Sequence, residues 1–280
     1  MHDRWRAAFM TAAASAVAAV VLLALTSASA SPPEYQAPRT TDGRPDLNGI
    51  WQALGTAHWD IEGHAARPGP IVALGAVGAI PAGLGIVEGG EIPYQPWALE
   101  KKKENFENWL TLDPVVKCYL PGVPRTTYLP FPFQIVQTAE HILIAYEFAS
   151  ASRVIYMNRP DFESPIDTWM GHSRGHWEGE TLVVDVTSQV PDTWFDSSGN
   201  FHSEALHVVE RYTPMSPDAL LYEAVIEDPK VFTRPWKIKM PLYRRLEENA
   251  QLLEFKCVEF VEELMYGRFR KQPGKEQGGQ

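Results

Sequence analysis

His172, Arg174 and His176 stand at alternate positions in the stretch T-W-M-G-H-S-R-G-H-W-E-G-E-T-L-V-V-D-V-T, residues 168–187, which also holds Asp185. Side chains alternate along a strand, so these three groups share one face. The pair Glu178-Gly179 separates two strand-like runs, and X-Gly there reads as a two-residue hairpin turn. That turn predicts His172 opposite Asp185 and Arg174 opposite Val183. One face then carries His172, Arg174, His176, Thr181, Val183 and Asp185. The other carries Ser173, Gly175, Trp177, Glu180, Leu182 and Val184. A carboxylate facing an imidazole, with Cβ atoms ~5 Å apart, can fix the ring tautomer and support a general base. The structural alternative is a solvated ion pair worth roughly 0–1 kcal/mol. The catalytic expectation needs the charged face to line a cavity.

A second group lies in D-T-W-F-D-S-S-G-N-F-H-S-E-A-L-H-V-V-E, residues 192–210. His202 and His207 are the expected acid partners of His172. Five residues apart, they fall on opposite faces of a strand, and the spacing matches no common zinc motif. His172 and His176 share a face but are about 13 Å apart on a strand. No metal and no cofactor are therefore expected. Glu147 and Arg153 interrupt apolar runs and are expected to pair across a short turn, since a buried charge needs a partner. The alternative has Arg153 gripping a ligand carbonyl or carboxylate, with Tyr146, Trp169 and Trp194 as further ligand contacts.

The elements that must position these residues are mostly strands. Runs with strand pattern cover residues 50–54, 134–138, 141–149, 152–158, 170–177, 181–187, 206–213, 220–227, 231–244 and 252–260. Short turns and the lack of intervening helices predict a mainly β fold, an antiparallel meander. So many strands resolve their edges by closing into a lipocalin-like barrel or a strongly curled sheet. One helix is predicted over residues 96–112, opened by Pro96 and stopped at Asp113-Pro114. Its inward stripe is expected to be Trp97, Phe106, Trp109 and Leu110. Residues 55–93 are apolar but punctuated by Gly and Pro, which suggests a flap packed over a cavity mouth. A partly helical flap is the alternative.

Residues 1–30 have the basic start, apolar run and small-residue end of a secretory signal peptide. The rest reads as one domain over 31–265, with arm, flap and helix to residue 116 and strands from 117, then a polar tail over 266–280. No membrane span is expected in the mature chain. Export makes the two cysteines, Cys118 and Cys257, a predicted disulfide; two buried thiols are the alternative. The whole chain carries 25 Lys and Arg against 35 Asp and Glu, a net charge of −10. That balance argues against nucleic acid or an anionic membrane as partner. Abundant aromatics suit a small hydrophobic ligand.

The segments L-G-I-V-E-G-G-E-I-P-Y, D-P-V-V-K-C-Y-L-P-G-V-P-R, P-F-Q-I-V-Q-T, G-H-S-R-G-H-W-E-G-E-T-L-V-V-D-V-T and H-S-E-A-L-H-V-V-E-R-Y resemble a large family of secreted bacterial proteins with no assigned reaction. The resemblance covers nearly the whole mature chain. It implies a shared fold and export to the periplasm or beyond, and it brings no catalytic residues. The functional expectation is acid–base chemistry, as a lyase, isomerase or hydrolase, on a largely apolar, ring-containing ligand in a barrel cavity. The rival expectation is a non-catalytic carrier using the same cavity.

Overall fold

The computed structural model describes residues 35–70 and 72–258. The signal peptide and the polar tail expected from the sequence lie outside them. Nine strands form a closed barrel: β1 Gly49–Ala53, β2 Phe133–Gln137, β3 His141–Tyr146, β4 Ser152–Met157, β5 His172–Glu178, β6 Thr181–Thr187, β7 His207–Ser216, β8 Ala219–Glu227 and β9 Trp236–Arg244. Each strand pairs with its sequence neighbours, and β1 pairs with β9 through Trp51–Arg244 and Ala53–Leu242 to complete the circle. The mainly β, barrel-forming reading is therefore borne out.

Two details differ from the expected meander. β4 and β5 run parallel, paired only through Ile155–Met157 and Ser173–Gly175. Residues 158–171 make the crossover that a parallel pair requires. Residues 252–258 form no strand, because β1 already occupies the edge of β9 that a last strand would have used.

The hairpin turn is shifted by one residue. Glu178 pairs with Thr181, Arg174 with Asp185 and His172 with Thr187. The two loop residues are Gly179, at φ 60, and Glu180. Gly at the first loop position supplies the positive φ that a primed hairpin turn needs. Moving the turn by one residue moves facing partners by two, so the division into faces holds while His172 loses Asp185 as its partner.

Ser173, Gly175, Leu182, Val184 and Val186 are the inward set, and the interior they join is filled. Trp51, Phe133, Ile135, Ile142, Ile144, Tyr212 and Tyr222 are all fully buried. Two charged groups sit among them. Arg153 faces inward opposite Ile144, and Glu210 faces inward opposite Val184 and Ala224. Their contact is bidentate, at 2.6 and 3.0 Å. Tyr222 and Tyr212 donate to Glu210 Oε1 at 2.7 and 3.0 Å, while Arg153 also donates to Tyr146, Tyr212 and Ser173. The expected Glu147–Arg153 pair is not formed. Glu147 lies one position beyond inward-facing Tyr146 and accepts the backbone N–H of Leu253 at 2.8 Å.

Helix α1, Pro96–Glu107, and the short α2, Trp109–Leu112, divide the predicted helix at Asn108. Pro96 stands in the first turn, as expected. The predicted inward stripe holds only in part: Trp109 packs against the core and Leu110 is half-buried, but Trp97 is 55% exposed and Phe106 38% exposed, whereas Ala98 and Asn105 are buried. Asn105 donates to the carbonyl of Gly199, so the helix face is set by a polar loop rather than by a hydrophobic sheet.

The flap begins beyond β1 and returns to the barrel. The backbone N–H of Lys239 donates to the Ile86 carbonyl and that of Glu88 to the Lys237 carbonyl, covering the part of β9 that β1 does not reach. Gly85, at φ +77, packs so tightly on residues 62–63 that a Cβ would lie 2.5 Å from a backbone nitrogen. A cavity of about 410 Å³ lies between this flap and β9.

Candidate functional site

The four residues expected to do chemistry fall in three places. Asp185 and His207 meet on the outer side of β6 and β7, where His207 Nε2 is 2.9 Å from Asp185 Oδ2 and Arg174 donates to Oδ1 at 2.6 Å. Its hydrogen bond to Asp185 holds the His207 ring above the usual imidazole range, and that bond, joined by the one Arg174 donates, holds Asp185 below the usual carboxylate range. His172 instead hydrogen-bonds the Phe162 carbonyl at 2.9 Å and stacks on Tyr156. His202 is buried. Its Nδ1 donates to the Ser203 carbonyl at 2.8 Å, which leaves Nε2 to accept from Thr193 at 2.6 Å. Burial lowers its pKa, so it is neutral.

The expected ligand contacts are likewise divided. Tyr146 belongs to the buried cluster around Arg153, and Trp194 is buried in the polar loop, bridged to Phe201. Trp169 stacks face to face on Tyr119, with centroids 4.8 Å apart. Trp169, His172 and one edge of Arg153 do share a groove of about 390 Å³ where β4 and β5 diverge. The guanidinium offers nothing to a ligand there, because all five of its N–H groups are taken by Glu210, Ser173, Tyr146 and Tyr212.

A different place has the composition of a binding site. A pocket of about 460 Å³ is lined by residues of which none belongs to a strand, so it lies outside the barrel wall rather than within it. Its sides are Trp59, Trp109, Phe131, Phe148 and Phe255, with Val115, Val116 and Leu129 between them. Its polar part is a buried ion pair, Arg125 to Asp113, bidentate at 2.7 Å for both contacts. Ser197 joins it, accepting from Arg125 at 3.1 Å and donating to Asp113 at 3.2 Å. His58 completes the lining. Its carbonyl accepts the Ser197 N–H at 3.1 Å, and its buried Nδ1 has no partner. Burial, with the nearby Arg125 and His64 charges, pushes the His58 ring down to about 4, so it is uncharged at neutral pH.

No family model, curated protein or solved structure matches this chain. The geometry alone must speak for the site.

The pocket is completed by the residues that follow the barrel. Cys118 and Cys257 are bonded, 139 residues apart in sequence. That bond, as expected from the even cysteine count, draws residues 255–258 against the 113–131 segment. Phe255 fills the gap between Phe131 and Phe148, at 5.2 and 4.8 Å between centroids.

Sequence reasoning missed His58, Asp113, Arg125 and Ser197. Asp113 reads as a helix stop, His58 and Ser197 sit in segments without period, and Arg125 lies among prolines. The available signal was Arg125 itself, a lone charge in the otherwise uncharged run C-Y-L-P-G-V-P-R-T-T-Y-L-P-F-P-F, where a buried cation would require a carboxylate partner. Among the described residues no cluster of three or more potential metal ligands occurs.

Proposed function

We propose that this is an exported protein that binds a small, largely apolar, ring-containing molecule in the pocket between His58 and Phe255. The observation that carries the reading is the pocket's make-up: aromatic walls around one buried, hydrogen-bonded polar cluster. This is the usual composition of a small-molecule site, with apolar area supplying affinity and few polar groups supplying orientation. The volume of about 460 Å³ suits a ligand of two or three fused rings. The barrel interior is less suited, being filled by large side chains and by the Arg153–Glu210 cluster. Export rests on residues 1–30, and the Cys118–Cys257 bond fits an oxidising compartment. No helix among the described residues is long and apolar enough to cross a membrane.

Acid–base catalysis is the second reading, and one observation favours it: His58, which lines the pocket, is neutral, and its buried Nδ1 has no partner. His172, Asp185, His202 and His207 support it less, since they do not converge.

Titration with the neutral probe N-phenyl-1-naphthylamine tests binding. The expected result is saturable, one-site binding that quenches the emission of Trp59 and Trp109. The variant Val116→Trp, which fills the pocket, should abolish it. Binding that is absent, or unaffected by that variant, refutes the reading.

A further inference from the structure

We infer that the pocket selects uncharged ligands and rejects the corresponding carboxylates, because every full charge that lines it is already matched. This inference rests on the binding reading above. Arg125 is the one buried cation at the pocket, with 1% of its side chain exposed, and both oxygens of Asp113 meet it. Ser197 bridges the same two groups; the buried Nε of Arg125 has no partner, but the charge of the guanidinium is neutralised by Asp113. The ring of His58 is neutral. Lys256 lies at the rim, 81% exposed and paired with Glu254 at 3.2 Å, so its charge is spent in solvent.

An anion entering this pocket would shed its hydration and find no unmatched cation to replace it. A hydroxyl, ester or ketone sheds far less, and the aromatic walls reward the rest of the molecule equally in both cases. The ligand class is therefore a neutral aromatic or polycyclic compound bearing one or two weakly polar groups. The Asp113 carboxylate is what makes the pocket neutral. Removing its charge while keeping its shape turns the same site into one for anions, since a buried guanidinium would then lack its counter-charge.

Methyl 2-naphthoate and 2-naphthoate differ in charge and little in shape, so they form the test pair. For the wild-type protein at pH 7, the ester should bind at least ten-fold tighter. In Asp113→Asn that preference should narrow by ten-fold or more, or reverse. A wild-type preference below ten-fold overturns the inference while leaving the binding reading intact, provided that the compounds bind and Val116→Trp blocks them. An unchanged preference in folded Asp113→Asn also overturns it. Should Asp113→Asn fail to fold, the wild-type comparison decides alone. Binding of neither compound, nor of the neutral probe, refutes the inference and the binding reading together.

Discussion

Arg153 and Glu210 show how a barrel interior accommodates charge. Each is almost wholly enclosed, and three tyrosine hydroxyls and Ser173 occupy the remaining donor and acceptor positions. Glu210→Gln removes the counter-charge and leaves a guanidinium in an apolar interior. Breaking a buried pair in this way costs about 3–5 kcal/mol, to be read from urea unfolding. An unfolding free energy within 1 kcal/mol of wild type, roughly the size of an ordinary substitution, would show that the pair is not holding the interior together. Two other groups, buried Asp196 and half-buried His58, couple stability to pH. Burial, with the nearby charge of Asp60, pushes Asp196 up to about 7, although four N–H groups from Ile61, Ser198 and Asn200 point at it. Its folded-state pKa exceeds the unfolded value of about 4, so the folded protein holds the extra proton. The stability this contributes is full below pH ~4 and is lost as pH rises through 7. His58 acts in the opposite sense. Its folded pKa of about 4 lies below the unfolded 6.5, so its contribution is present above pH 6.5 and lost on acidification toward 4. Because the slopes oppose, each must be read as a difference from a variant. Asp196→Asn should remove the fall between pH 4 and 7, and His58→Phe the loss on acidification. Parallel stability–pH curves for a variant and wild type would refute the corresponding assignment.

Among the elements, the strands were the legible part. Alternation over residues 181–187, 219–227 and 236–244 carries the strands and their division into two faces, because one side of each meets a packed interior. The hairpin at Gly179 was placed one residue early, since E-G and G-E both satisfy a two-residue turn and only the backbone geometry separates them. The choice of inward face also needed the packed interior: the set with Leu182 and Val184 was available, but the charges opposite it drew the functional reading. The pocket was illegible for a different reason. It is built by non-periodic segments that meet only in three dimensions, and its ion pair joins a helix stop to a proline-rich run. Two glycines separate local from tertiary constraint. Gly179→Ala meets open space and suffers only from positive φ, about 1–2 kcal/mol. Gly85→Ala meets both positive φ and the backbone of residues 62–63, so it should cost more and expose the flap to protease. Equal unfolding free energies for the two variants would refute that ranking.

At the scale of the molecule, the barrel is closed by its first strand, and β9 ends at Arg244. Residues 251–258 add no strand pairing to it, yet they supply one side of the pocket. They are fastened by the Leu253 contact with Glu147, by Phe255 between two phenylalanines, and by Cys257. One wall of the proposed pocket is thus fastened by a thiol oxidation, which draws on residues that follow the whole barrel in the chain. On that basis the redox state of the compartment should govern binding in the proposed pocket. Made without residues 1–30 and kept in a reducing cytosol, where such bonds are rare, the protein should show the far-ultraviolet spectrum of the complete barrel and at least ten-fold weaker binding of N-phenyl-1-naphthylamine. Oxidation of the purified protein should restore it, and Cys257→Ser should not respond. Full binding by the reduced protein would show that the bond is ornamental to the site. If the bond is needed, the proposed pocket carries its own check on location: a chain held in a reducing compartment would be an intact barrel with one pocket wall unfastened.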